Sequence, residues 1–459
     1  MGNQLLIRAY NVGCGDCIYV RIPDAGDGFH ILIDCGKKGS DDLLHKVVGL
    51  LADDLPAGKI PGRKRLDLLV ATHRHEDHIK GFNPEWFANI EVRNIWLSAA
   101  MDPEHPQAEG VNNLHQFAVH QMRALLDSGQ ALSPEVELLA SLYGVSNEVA
   151  DQTLMQKLPK INKIKPKYVH SGLKHRLKLP PDTAIHILAP EKDIDHYYLG
   201  EDVDNSLRGL QGIAAKPSPG APTAAAESTS LPANISATDF RVLQSRMLSN
   251  ALAFAAKDSS IQNNLSVVLL IEWRHRRLLF VGDAEWDREF KEGKDNGSWN
   301  VMWEKHRDGH LKAPLDFLKV GHHGSINATP PPREHATGSK PPASGGIYSL
   351  LDTILPVPPV GEAPTAQALI STEREFYDPI PDCRLLANLA TRVSNTTNYA
   401  ARFEQAGKDP KAVWATTKAL KNKFFERFEQ EFLSQPQPLR TDLEFALDGK
   451  NFVEVTIEP

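Results

Sequence analysis

The chain opens on three short apolar runs broken by polar and turn residues. "QLLIRAY", "CIYVRIP" and "FHILIDCG" are rich in Ile, Leu, Val and Tyr and are separated by Gly, Pro and Asp. That pattern predicts three strands. "DDLLHKVVGLLADDL" repeats its apolar residues at helical spacing behind an acidic start, and predicts a helix. "RLDLLVAT" and "VRNIWLSAA" predict two more strands, with a helix, "HIKGFNPEWFANI", between them. From about residue 103 to 165 the pattern turns helical. "VNNLHQFAVHQMRALLDSG" and "SPEVELLASLYGVSNEVADQTLMQKL" predict two helices, the second opening at Ser133-Pro134. "HRLKLPPDTAIHILAPEKD" returns to strand patterning.

The second half mixes the same two periods. Residues 211–235 are rich in Ala, Pro and Ser and lack a periodic apolar face, so about 205–238 predicts a flexible loop. "DFRVLQSRMLSNALAFAAKD" predicts a helix. "LSVVLLIEW" and "RRLLFVGDAEWD" predict a hairpin around "RHR". "LDFLKVGHHGS" reads as a strand ending in two histidines, and residues 328–346 as a Pro/Gly-rich loop. "QALISTE" predicts a strand, "DCRLLANLATRVSN" a helix, and "LEFALDGKNFVEVTIEP" a terminal hairpin. Strands and helices mix throughout, so the fold class is α/β or α+β rather than all-β.

Length and charge narrow the classes. At 459 residues the chain can hold two or three average domains, or one large domain with insertions. A net charge of −7 supplies no global positive field for nucleic acid. One local stretch runs against that balance: "KLPKINKIKPKYVHSGLKHRLK", residues 157–178, carries eight Lys/Arg and no acid. The start of the chain has no long apolar segment with a small-residue cleavage site, and no stretch is long enough to span a bilayer. The expectation is a soluble cytoplasmic protein without membrane contact.

Two stretches raise chemistry. "NVGCGDC" places Cys14 and Cys17 at C-x-x-C spacing, open to reading as a redox pair, half a zinc knuckle or a tight turn. A zinc knuckle needs a second such pair, and only Cys35 and Cys383 remain. A redox pair should open a helix, whereas Cys17 begins a strand pattern. The residues therefore predict reduced, partly buried thiols beside a glycine turn. "ATHRHEDHIKG" carries more. His73 and His75 point to one side of an extended backbone, and Asp77 and His78 follow where the chain turns. Three imidazoles and a carboxylate so close suit zinc and would accept manganese. Two further apolar runs end on similar residues: "LLFVGDAE" on Asp283, and "FLKVGHHGS" on His322 and His323. Three strand ends thus present ligand types, where open α/β sheets place their chemistry.

On these motifs the sequence resembles the metallo-β-lactamase-fold hydrolases, whose H-x-H-x-D-H signature "THRHEDHIKG" matches. "NVGCGDC", "NNLSVVLL", "LLFVGDAE", "LKVGHHGS" and "LISTE" together resemble one subgroup, the nuclease domain of competence-type DNA-uptake proteins and their soluble relatives. The resemblance covers about residues 4–100, 177–190 and 262–390. It implies an αββα sandwich over residues 1–390, with a helical insertion at about 103–165 and the flexible loop. Residues 391–459 would be a helix and hairpin that complete or flank it. "NVGCGDC" becomes the subgroup's V-G-x-G-D turn, with Asp16 structural.

The resemblance also implies a site. His73 and His75 would hold one divalent ion, and Asp77, His78 and His323 a second, with Asp283 bridging; zinc is expected and manganese possible. A hydroxide shared by the two ions would attack phosphorus, with Asp77 in the catalytic set. His322 would contact the phosphate or assist the leaving group. Adjacent strand residues point oppositely, so only one of His322 and His323 should ligate. Asn263 and Asn264 stand where many members carry a further histidine, which weakens the shell of one metal. The substrate expected is a phosphodiester, DNA or RNA, cut by a nuclease. Lys163, Lys165, Lys167 and Lys174 of the basic stretch would track the backbone, and Tyr168 and His170 would stack on bases. The alternatives are a hydrolase of a small phosphoester, such as a choline-phosphate ester, and a weakly catalytic binding or assembly subunit. The channel protein's membrane helices are missing here, so DNA uptake is not implied.

Overall fold

Alternation along the first strands separates two faces. In β1 (Leu5–Tyr10), β2 (Ile18–Ile22) and β3 (Phe29–Ile33), Ile7, Val20 and Ile31 point to one core while Leu6, Tyr19 and Leu32 point to another. The three pair as an antiparallel meander. The computed structural model describes residues 3–38, 42–127, 134–143, 158–199, 252–253, 255–293, 295–332, 346–371, 382, 385, 388–389, 391–394, 440–441 and 451–459. Helix α1 (Asp42–Asp54) covers the outer face of the meander with Leu44, Val47, Val48 and Leu51.

Each of the next two predicted strands is in fact two. "RLDLLVAT" divides into β4 (Lys64–Leu66) and β5 (Leu68–Ala71), and "VRNIWLSAA" overlaps β6 (Ile90–Val92) and β7 (Ile95–Ser98). The breaks fall at polar residues that bind each other. Arg93 donates to Asp67 Oδ1 at 3.1 Å, and Asn94 donates to the Asp67 carbonyl at 2.9 Å. β4 and β6 make a separate parallel pair. The helix expected from residue 78 to 90 is a single turn, α2 (Glu76–Ile79), followed by turns. Gly81 and the Asn83-Pro84 pair explain this, because the residue before proline is pushed out of the helical region.

Helices α3 (Ala108–Asp127) and α4 (Pro134–Leu142) form in the predicted insertion, with Pro134 at the first helical position as expected. Inside the basic stretch lies an unpredicted strand, β8 (Lys167–Val169), then β9 (Thr183–Ala189). Residues 255–264 are helical, the far end of the helix predicted to start at Asp239. The hairpin prediction holds. β10 (Val268–Trp273) and β11 (Arg276–Phe280) pair antiparallel, with Arg274 and His275 at φ 46° and 69°. Two positive φ values match the twist that a two-residue hairpin turn needs. β12 (Phe317–Lys319), β13 (Gln367–Ser371), β14 (Arg440–Thr441) and β15 (Phe452–Ile457) complete the strands. β15 pairs with β1; the partner expected for a terminal hairpin, 443–450, lies outside the described residues. The predicted loop at about 205–238, most of the loop at 328–346 and part of the helix at 382–395 lie there too.

The strands form a seven-stranded sheet in the order β15-β1-β2-β3-β5-β7-β8 and a six-stranded sheet in the order β14-β13-β12-β11-β10-β9. Their inner faces share one core: Ile7, Val20, Ile31 and Val70 from the first, Ile187, Leu269, Phe280 and Phe317 from the second. Residues of alternate register, Leu270, Leu279, Leu318 and Ala368, face the other way and pack on Trp299 and Met302 of the helix Ser298–His306 and on Leu351 and Ile354. The fold is therefore mixed α/β. Truncating a fully buried residue such as Ile31 to Ala would cost about 2–5 kcal/mol. Among the described residues no helix is long and apolar enough to cross a membrane.

Candidate metal centre

β3 and β5 are parallel neighbours, as are β11 and β12, so their C-terminal ends share sheet edges. Asp34 follows β3, Thr72 and His73 follow β5, Asp283 follows β11, and His322 and His323 follow β12. The Val267 amide donates to the Thr72 carbonyl at 3.0 Å and ties the two sheets together at this edge. Here His73, His75 and Asp283 present donor atoms within 4.8 Å of one another, and Asp77, His78 and His323 do the same. All six are buried. Asp283 lies between the groups, its Oδ2 3.8 Å from His73 Nε2 and 3.1 Å from His78 Nε2.

The hydrogen bonds set the tautomers. Thr72 donates its amide to Asp34 Oδ1 and its hydroxyl to Asp34 Oδ2, both at 2.7 Å. With its proton committed, Thr72 Oγ1 can only accept from His73 Nδ1, 3.1 Å away. His78 Nδ1 donates to Asp34 Oδ2 at 2.7 Å, and His323 Nδ1 to the Ser371 carbonyl at 3.0 Å. Each ring is left with a bare Nε2. His78 Nε2 then faces Asp283 Oδ2, and His323 Nε2 faces Asp77 Oδ2, each at 3.1 Å. A bare imidazole nitrogen and a carboxylate oxygen this close are two acceptors, and they need a cation or a proton between them. His75 Nε2, His78 Nε2 and Asp77 Oδ1 are buried without a hydrogen-bond partner among the described residues. Native interiors rarely leave such atoms unsatisfied. This donor set, nitrogen and carboxylate with outer partners fixing each ring, suits a divalent metal.

Burial and neighbouring charge move the ionisations apart. Burial, then the charges of His78 and His75, hold His73 well below its ordinary value, and burial lowers His75 to about 4. Burial also lowers His78, but Asp283 and Asp34 outweigh it and raise it well above normal. Burial raises Asp77 and Asp283; Lys38 and His323 reverse this for Asp77, and His78 and His322 for Asp283, so both fall well below the carboxylate range. Without metal, a second proton on His78, facing Asp283, takes its place there.

The motif histidines differ from the strand geometry expected of them. His322 and His323 sit in a tight 3-10 turn beyond β12, at φ 44° and 52°. Such values are strained for residues with a Cβ and cluster at functional sites. The His322 amide donates to Asp283 Oδ1 at 3.0 Å, which holds the turn. Only His323 joins a donor group. The His322 ring turns to Glu285, Nδ1 to Oε1 3.3 Å, with its side chain 26% exposed.

"NVGCGDC" lies under α2. A Cβ on Gly15 would overlap the Gly36 backbone, and one on Gly36 would overlap Asp77 and His78, so three segments touch main chain to main chain. The Asp16 amide donates to the Asp77 carbonyl at 3.0 Å. Lys319 Nζ, buried, donates to Asp16 Oδ2 at 3.0 Å. Asp16, Asp34 and His78 form a third donor group, but the bonds from Lys319, Thr72 and His78 already engage its carboxylates. Cys14, Cys17 and Cys35 are buried and form no disulfide among the described residues; Cys383 lies outside them.

Asn263 and Asn264 brace the loop after β11. Asn263 donates to Glu285 Oε1 at 2.8 Å, and Asn264 Oδ1 accepts from the amides of Glu285 and Ser298. The insertion walls the site beside His75: the Tyr143 ring lies 6.3 Å from His75 and 5.4 Å from His115, which pairs with the buried Asp258 at 2.9 Å. The basic stretch stands apart. Lys167 pairs in register with Trp96, and Trp96 with Val70, so Lys167 is level with a point three residues before His73 and two strands away. That is about 10 Å along and about 10 Å across the sheet. Lys163, Lys165 and Lys174 are exposed, and none of the four has an ion pair with a site residue among the described residues.

Residues at the site that were not expected include Asp34, Lys38, Thr72, Ser266 and Glu285. Lys38 Nζ lies 3.2 Å from Asp77 Oδ2. Ser266 Oγ accepts from the Asp283 amide at 3.1 Å and lies 3.3 Å from His73 Nδ1. Asp34 alone had a local sign, an acid closing an apolar strand as Asp283 does. No protein-family model and no curated protein matches the chain.

Proposed function

We propose that the chain is a metal-dependent hydrolase of phosphodiester bonds, a nuclease acting on DNA or RNA, and that its two-sheet layering is the αββα sandwich of the metallo-β-lactamase fold. The observation that carries this reading is the facing of bare imidazole nitrogens and carboxylates, with Asp283 Oδ2 placed between His73 and His78. His73, His75 and Asp283 would hold one zinc or manganese ion, and Asp77, His78 and His323 a second, sharing Asp283. Two such ions, when bound, lower the pKa of a shared water and polarise a phosphoryl oxygen. Asp34, Thr72, Ser266 and the Ser371 carbonyl keep the rings in the ligating tautomer. Glu285 steadies His322 at the rim, where its partly exposed ring can donate a proton to a phosphate or leaving-group oxygen.

A second reading, hydrolysis of a small phosphoester such as a choline-phosphate ester, is favoured by the distance of Lys167 from the site. The test is hydrolysis of plasmid, single-stranded DNA, RNA and bis-p-nitrophenyl phosphate with added zinc or manganese. Cleavage of the polymers supports the nuclease, and turnover of small esters alone supports the second reading. A metal-loaded protein inert on all of them would be a binding or assembly subunit.

A further inference from the structure

We propose that Lys38 is a substrate-contacting cation that commits this site to an anionic oxygen, the phosphoryl oxygen of a phosphate ester; this rests on the metal reading above. Lys38 is 7% exposed, and its ammonium lies 3.2 Å from Asp77 Oδ2. Its amide donates to the Cys14 carbonyl at 2.9 Å, so the loop that carries it is clamped to the glycine turn beneath α2. The clamp fixes the backbone from which the buried ammonium reaches the donor group.

Asp77 Oδ2 already meets both Lys38 and His323 Nε2, while Oδ1 has no hydrogen-bond partner among the described residues. An ion held by Asp77, His78 and His323 would share one buried carboxylate with the ammonium. As a mere counter-ion to Asp77, Lys38 is redundant once a divalent charge is present, and at such range it repels that charge. Buried like charges are tolerated when an anion lies between them. A nucleophilic hydroxide supplies one negative charge. A neutral ester or amide carbonyl adds none, whereas a phosphodiester adds another. Lys38 thus supplies the positive charge that distinguishes an anionic substrate from a neutral one.

The test compares wild type, Lys38→Gln and Lys38→Arg, each loaded with zinc, by metal analysis and by calorimetric titration with inorganic phosphate. Lys38→Gln should keep the wild-type zinc content and bind phosphate about 10- to 100-fold more weakly, the loss of one charged hydrogen bond. Lys38→Arg should retain most of the affinity. Lys38→Met, which keeps the apolar stem, repeats the test should Lys38→Gln fail to fold. A zinc-loaded Lys38→Gln or Lys38→Met with unchanged phosphate affinity would overturn the role of Lys38 and leave the metal reading standing. A wild-type protein that takes up no zinc would overturn both.

Discussion

Replacing Asp34 with Asn should turn the His78 ring into the wrong tautomer. Asp34 is buried and accepts three bonds, from the Thr72 amide, the Thr72 hydroxyl and His78 Nδ1, each at 2.7 Å. Asn keeps the shape but exchanges one oxygen for an amide that must donate. With its oxygen on the Thr72 amide, the new NH2 meets the two donors that Oδ2 served. His78 must then move its proton to Nε2, the nitrogen facing Asp283. Two charge-assisted bonds of about 1.5–3 kcal/mol each become ordinary or are lost. The metal-free protein should therefore lose about 2–4 kcal/mol in urea titrations. Zinc affinity, measured by chelator competition, should fall about 10- to 100-fold, as it does when a ligand's outer partner is removed. An Asp34→Asn protein with wild-type zinc affinity and stability would refute the tautomer argument.

Three other outcomes follow from the same structure. Cys14→Ser with Cys17→Ala should leave metal content unchanged, because both thiols lie beneath α2 and outside the donor groups; loss of a metal equivalent would make "CGDC" a ligand site. Replacing Lys163, Lys165, Lys167 and Lys174 by Gln should weaken nucleic-acid binding and flatten its salt dependence by about one slope unit for each phosphate no longer neutralised, while bis-p-nitrophenyl phosphate turns over unchanged. Equal loss on both substrates would make the stretch structural. On the outer face, burial and then the charge of His310 lower His306 to about 4. The unfolded chain takes up this proton near its ordinary 6.5 and the folded chain refuses it until about 4, so stability falls as pH drops through that window. The His306 share is about 1–3 kcal/mol after screening at a partly exposed ring. His306→Gln should flatten the difference between urea titrations at about pH 7.5 and about pH 4.5 by that amount, and equal slopes would count against it.

Local pattern carried the sheets further than it carried their breaks. The apolar runs of β1 to β3 and the β10–β11 hairpin were readable because both faces of these strands are largely buried and each pairs with a neighbour close in sequence. Asp67 and Asn94 interrupt apolar runs for the sake of partners 26 and 27 residues away, so those interruptions looked like strand interior. β8 escaped notice because Lys167 and Tyr168 are only partly buried at a sheet edge. At the site, His73, His75, Asp77 and His78 stood out by spacing, and Asp283 and His323 by their place after apolar strands. Asp34 meets His78 across 44 residues, and Lys319 meets Asp16 across 303. No periodicity predicts such pairs. The division of labour between His322 and His323 was expected from strand geometry but arises from a strained turn locked by Asp283.

The central claim, that the buried imidazole and carboxylate groups form one centre for divalent ions joined by Asp283, is tested most directly by metal analysis of wild type and Asp283→Ala after loading with zinc or manganese. Wild type should bind about two ions per chain, and a folded Asp283→Ala protein should retain less than about one, because Asp283 belongs to one donor group and its Oδ2 lies 3.1 Å from His78 of the other. A wild-type chain that binds no divalent ion, or an Asp283→Ala chain that holds as many and as tightly as wild type, would contradict it.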